Sequence, residues 1–157
     1  MRKYIPFASL MVACAAFTSC TDQYTICNQA KISNLNSSFR TISNNTDVSF
    51  TPAALTMRDI TSGNLLFDQR AGISSVSSNL SLSTDSTSFS LQVAPAMPTD
   101  TFTVYYSKSR QFLSLECGEI DVFTINRISN TTHKIDSIKL VDAAVNNNYL
   151  PNLRIYF

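Results

Sequence analysis

Apolar side chains fall at every second position along much of this chain, with polar ones between them. Phe89, Leu91 and Val93 alternate with Ser and Gln, and Leu80 and Leu82 precede them at the same spacing. Phe102, Val104 and Tyr106 alternate with Thr101, Thr103 and Tyr105. Leu113, Leu115 and Cys117 share one parity, with Ser114 and Glu116 on the other. Successive side chains of an extended strand point to opposite faces, so this pattern calls for strands with one buried side. Further candidates are Leu55 to Ile60 and Leu65 to Asp68, joined by the turn-forming Ser62-Gly63-Asn64, and Lys134 to Val141. Glu119 to Ile128 also reads as a strand but changes parity between Val122 and Phe123, which predicts a bulge or burial on both faces. Asn146-Asn147-Asn148 and Pro151 mark a turn before the closing alternation of Leu153, Ile155 and Phe157 with Arg154 and Tyr156. About seven or eight short strands of this kind predict an all-β, immunoglobulin-like β-sandwich. The chain has no Trp, so it lacks the buried Trp of antibody domains. The terminal Phe157 resembles the aromatic end of outer-membrane barrels. Barrel strands need about 9–11 residues, however, so a last sandwich strand is the expectation.

The N-terminus has a different pattern. Arg2 and Lys3 precede an uncharged, largely apolar run from Ile5 to Phe17, and Phe17-Thr18-Ser19-Cys20 follows. This is the layout of a helical secretory signal, shorter than the roughly 20 residues of a transmembrane span. Its end resembles a bacterial lipobox, in which a lipid is attached to the cysteine and the preceding bond is cut. Thr18 and Ser19 fit that motif, while Phe17 departs from its usual Leu, Val or Ile. The expected organisation is a signal peptide over residues 1–19, a lipidated N-terminus and tether over 20–30, and a single sandwich domain over 31–157. Cys20 is then the lipidation site, and the protein is anchored to a membrane rather than spanning it. Surface-exported lipoproteins carry an acidic stretch after this cysteine. Here Asp22 stands alone, which favours the periplasmic face of the outer membrane over the cell surface.

Without residues 1–19 the chain has 138 residues, enough for one core. The full sequence's 12 basic and 11 acidic residues, 10 and 11 once Arg2 and Lys3 are removed, show no basic stripe, so nucleic acid is not an expected partner. Cys14 would leave with the signal and Cys20 would carry the lipid. Cys27 and Cys117 remain, an even pair in an oxidising compartment, and a disulfide between them is expected, two buried free thiols being the alternative. Such a bond would close a loop of about 90 residues, worth roughly 4–5 kcal/mol in the chain-entropy model.

Catalytic chemistry finds little footing. The single histidine, His133, reads as a surface residue beside a strand start, and several His or Cys ligands would be needed for zinc. A triad composed from a serine, His133 and Asp136 lacks a nucleophile elbow. Glu116, Glu119 and Asp121 cluster around Gly118 and read as a solvated rim, although a carboxylate pair is also what glycoside hydrolysis requires. Three glycines leave no phosphate-binding loop. The chain is therefore expected to be no enzyme and to need no cofactor or metal. Tyr105 and Tyr106 are adjacent, so one of them faces outward and offers an aromatic binding surface.

Leu115-Glu116-Cys117-Gly118, Ile135-Asp136-Ser137-Ile138 and the closing Leu153-Arg154-Ile155-Tyr156-Phe157 give the chain a family likeness. It resembles the small Bacteroidota lipoproteins of domain-of-unknown-function family 6452, over most of the mature chain and including Cys27. That family has no established activity, so the resemblance transfers no catalytic residue. Its genes often neighbour one for an outer-membrane β-barrel, which implies a barrel partner. The expectation is a binding or accessory lipoprotein for an outer-membrane protein, with a glycan- or ligand-binding lipoprotein as the alternative.

Overall fold

The computed structural model describes residues 27–157. The signal segment, Cys20 and the first part of the tether lie outside the described residues. In chain order the strands are β1 (Asn34–Ser43), β2 (Thr46–Ser49), β3 (Leu55–Asp59), β4 (Leu65–Arg70), β5 (Ser75–Asn79), β6 (Ser86–Gln92), β7 (Asp100–Ser114), β8 (Gly118–Asn130), β9 (Ser137–Leu140), β10 (Ala144–Val145) and β11 (Leu153–Tyr156). There is no helix among the described residues, and the strands form two sheets in a sandwich-like arrangement. The expected all-β sandwich is therefore present, with eleven strands rather than seven or eight.

The larger sheet runs β10-β8-β7-β6-β3-β4, and all its pairings are antiparallel. The smaller sheet is built around β1. On one edge β1 pairs with β5 through its first half and with β2 through its second. On the other edge it pairs with β11, and that pairing is parallel. β9 completes the sheet beyond β11. The β1–β2 turn places Asn44 and Asn45 at φ 50° and 59°. Two left-handed residues in a row suit the twist of a tight hairpin, and Asn tolerates that conformation better than most.

The core lies between the sheets. Leu35, Phe39, Val76, Leu153 and Ile155 enter it from the smaller one, and Leu55, Met57, Phe89, Leu91, Phe102, Val104 and Ile125 from the larger. Phe89 and Phe102 are register partners, and their rings stack with centroids 5.1 Å apart. Phe157 packs edge-on to Phe39 at 5.7 Å and tilted against Phe50 at 4.9 Å. It closes the open edge of this core, as a last sandwich strand should.

Two expectations about individual residues are overturned. Leu82 does not share an inward strand face with Leu80. β5 ends at Asn79, Leu80 is buried behind it, and Leu82 is exposed in the following loop. Nor does Leu115 share an inward face with Leu113 and Cys117. The β7 strand stops at Ser114, and Leu115 sits in the turn, 90% exposed. In both places a short-range alternation continues past the point where the backbone turns. The predicted parity change in β8 is present, since Ile120 is buried, Val122 half-buried, and Phe123 and Ile125 buried. The register shift itself falls a few residues later, opposite Tyr105 and Tyr106.

Candidate functional site

The residues that stand out gather at one end of the β7–β8 hairpin. Inward-facing Asp100, Phe102, Val104 and Tyr106 hold the first half of β7 against the core. From Ser107 to Phe112 every residue is exposed, yet the ladder with β8 continues from Ser107↔Thr124 to Phe112↔Glu119. Along this stretch β7 is bare to solvent, while Ile120 and Phe123 of the facing β8 remain buried. Gly118 closes its turn at φ +72°, and the Ser114 hydroxyl accepts a hydrogen bond from the Cys117 amide at 3.1 Å. A Cβ on Gly118 would meet nothing within 4 Å, so backbone strain alone opposes a side chain there. Gly118→Ala should cost about 1–2 kcal/mol in chemical unfolding.

Cys117, in this turn, is disulfide-bonded to Cys27 with Cα atoms 4.9 Å apart. The pair expected from the cysteine count is therefore formed, and it clamps the first described residue to the hairpin tip. Phe112 is 58% exposed, and Ile32 and Leu82 each 61%. Ile32 and Leu82 border an open depression of about 470 Å³ with Leu80, Asp121 and Phe123. Lys108 holds this region together, its ammonium donating to the carbonyls of Leu82 at 3.0 Å and Thr84 at 3.1 Å beside the Asp85 carboxylate.

The acidic cluster lies along the same hairpin. Arg110 sits 3.8 Å from the Glu119 carboxylate and 3.7 Å from that of Asp121. All three side chains are exposed, so these pairs add little stability.

Of the two tyrosines, Tyr106 is 2% exposed. Its hydroxyl donates to the Ser81 carbonyl at 2.9 Å and lies 2.7 Å from the Thr87 hydroxyl, so it is a core anchor and offers no binding surface. Tyr105 is the outward member, as alternation requires. The Arg127 guanidinium lies 3.9 Å from its ring centroid and covers one face.

Sequence reasoning missed two charged residues. Asp100 has the inward parity of Phe102 and Val104 and is 1% exposed. One carboxylate oxygen accepts from the Thr131 hydroxyl at 2.6 Å, the His133 amide at 2.8 Å and, at 3.0 Å, faces His133 Nδ1. The other accepts from the amides of Lys134 at 2.6 Å and Ile135 at 2.9 Å. Burial favours the neutral acid. The Thr131 hydroxyl and the three amides outweigh it and hold the carboxyl far below the usual aspartate range. His133, exposed as expected, is thus paired with Asp100 and not with Asp136. Because Asp100 is committed to backbone amides, the arrangement is a latch for residues 131–135, the crossover from the larger sheet to the smaller. A polar residue in an inward register was the signal for it.

Asp47 is the second. It accepts from Arg40 Nε at 2.7 Å, and from Arg154 and the Tyr156 hydroxyl, each at 3.1 Å. The Arg40 hydrogen bond is the main cause of its lowered pKa; partial burial opposes it, and Tyr156 and both guanidiniums add to it. This carboxylate stitches β2, β1 and β11 together on the outer face of the smaller sheet. Among the described residues no group of three or more His, Cys, Asp or Glu is placed to hold a metal. No helix among them is long and apolar enough to cross a membrane.

Fold and surface together define a disulfide-clamped β-sandwich with a long β7–β8 hairpin. The chain belongs to the family of unknown function DUF6452, whose model matches residues 54–157. The match takes in β3 to β11 and Cys117, while β1, β2 and Cys27 precede it. No curated protein and no solved structure matches the chain.

Proposed function

We propose that this protein is a non-enzymatic lipoprotein of the bacterial cell envelope, anchored through Cys20 on the periplasmic face of the outer membrane. Its sandwich would serve as a binding or accessory module for an outer-membrane protein. The observation that carries this reading is the Cys27–Cys117 bond, seven positions beyond Cys20. A disulfide suits an exported domain, and its position ties the fold to the segment next to the proposed anchor. The charged n-region, apolar run and lipobox-like Phe17-Thr18-Ser19-Cys20 support the same compartment.

A crosslinking pull-down of the mature protein from its native envelope tests the partner. The expected result is one enriched β-barrel, lost with Cys20→Ala as the chain leaves the membrane fraction. Enrichment of abundant envelope proteins alone would speak against an accessory subunit. A second reading, a glycan- or ligand-binding lipoprotein, is favoured by a hollow of about 320 Å³ rimmed by Asp59, Thr61, Ser62, Asn64 and Ser81. In that case a glycan array would give a signal.

A further inference from the structure

We infer that the tip of the β7–β8 hairpin is a second membrane contact, with Leu115 and Phe112 entering the headgroup–acyl boundary of the bilayer that holds the lipid anchor. This rests on the proposed lipidation of Cys20. Turn residues are ordinarily Gly, Asn, Asp, Ser or Pro, because polar side chains suit a solvated tip. Here Phe112, Leu113 and Leu115 occupy three of four successive positions, and Leu115 is 90% exposed. Isolated exposed apolar residues are ordinary. What sets these apart is their place relative to the chain's N-terminus. The disulfide holds Cys117 with its Cα 4.9 Å from that of Cys27. Cys27 is seven positions from Cys20, and a fully extended chain of that length spans at most about 25 Å. The covalent reach of the anchor therefore confines the tip to the neighbourhood of the bilayer.

Confinement raises the effective concentration of membrane at the tip, so a small apolar contact suffices where free binding would need a larger one. Ile32 and Leu82 border a depression with Asp121 and Phe123 of the same hairpin. Glu116 beside Leu115, and Lys108 and Arg110 further back, limit entry to the interface, where an apolar face sinks about 5–10 Å. The contact orients the domain more than it holds it. With the tip seated, the loop between β6 and β7, at the opposite end of β7, points away from the membrane.

The chain has no tryptophan, so an introduced one is the sole indole. Leu115→Trp and Phe112→Trp place it at the tip, and Met97→Trp at the opposite end. Each mature protein is reconstituted into phosphatidylethanolamine vesicles containing brominated lipid, its mass is measured, and its fluorescence compared. Acylated protein with the tip indoles blue-shifted and quenched several-fold more than the Met97→Trp control supports the contact. Acylated, vesicle-bound protein whose tip indoles are quenched no more than the control overturns it and leaves the anchor standing. A mass without acyl groups overturns the anchor, and the tip's placement falls with it. Protection of the tip indoles by a co-purified protein instead of lipid also overturns the contact.

Discussion

Replacing Asp100 with alanine should destabilise the protein by about 3–5 kcal/mol, among the larger effects available from one side chain. The carboxylate accepts hydrogen bonds from Thr131 and from the amides of His133, Lys134 and Ile135. Removing it strands those donors, at about 1–3 kcal/mol for each that stays buried. Ile135 is itself in the core, so its amide has little access to water. Asp100→Asn is nearly the same shape but turns an NH₂ group toward N–H donors, and should cost almost as much. The latch also sets an acid limit. A carboxyl whose folded pKa is depressed contributes its full stability above the unfolded value, near 3.9. That stability drains away as pH falls from there toward the lower folded value. Urea unfolding followed by tyrosine fluorescence should therefore show the native chain losing stability steeply below about pH 4, and Asp100→Asn losing less over the same range. Equal pH slopes for the two proteins would mean that Asp100 is not the group responsible.

Cutting the disulfide should cost less than its loop length alone implies. A bond spanning 90 positions of sequence restricts the unfolded chain by roughly 4–5 kcal/mol in the entropy model. It also restrains the folded protein at two loosely packed places, the residues before β1 and the hairpin tip. Both relax when it is removed, so part of the loss is offset. The Cys27→Ala, Cys117→Ala double variant is expected to be about 2–4 kcal/mol less stable. Its urea m-value should rise, because the unfolded state expands once the loop is opened. An unchanged unfolding midpoint would show that the folded state carries as much restraint as the unfolded one. Hydrogen exchange should then locate the damage at residues 107–124, with β1 to β6 little affected.

The sequence made most of the larger sheet readable, with β9 and β11, and left β1, β2 and β5 of the smaller one obscure, for a physical reason. Where Phe102, Val104 and Tyr106 alternate with threonines, burial and hydrophobicity coincide, and period 2 reports the core. In β1 and β5 the inward positions include Ser37 and Ser78 along with Leu35, Phe39 and Val76. Half the signal is missing because the small residues there are chosen by neighbours distant in sequence. Asn44-Asn45 was a legible turn that went unused. The disulfide was legible by counting, and so was one outward tyrosine of the pair. The hairpin tip was not, because alternation continued through Leu115 after the ladder had ended. Asp100 and Asp47 depend on which strands meet, and no local pattern reports that.

The parallel pairing of β1 with β11 has a consequence for the timing of folding. Ser38 lies opposite Arg154, so β1 waits for a partner made long after it. Closing contacts so far apart in sequence slows folding. Until residues 153–156 are present, one whole edge of β1 has no neighbour, and β9 has lost its partner as well. A chain emerging from its N-terminus can assemble the β6–β7–β8 meander early, while the smaller sheet stays open. Such a chain holds its larger sheet well before its smaller one, and commits to its shape only when β11 arrives.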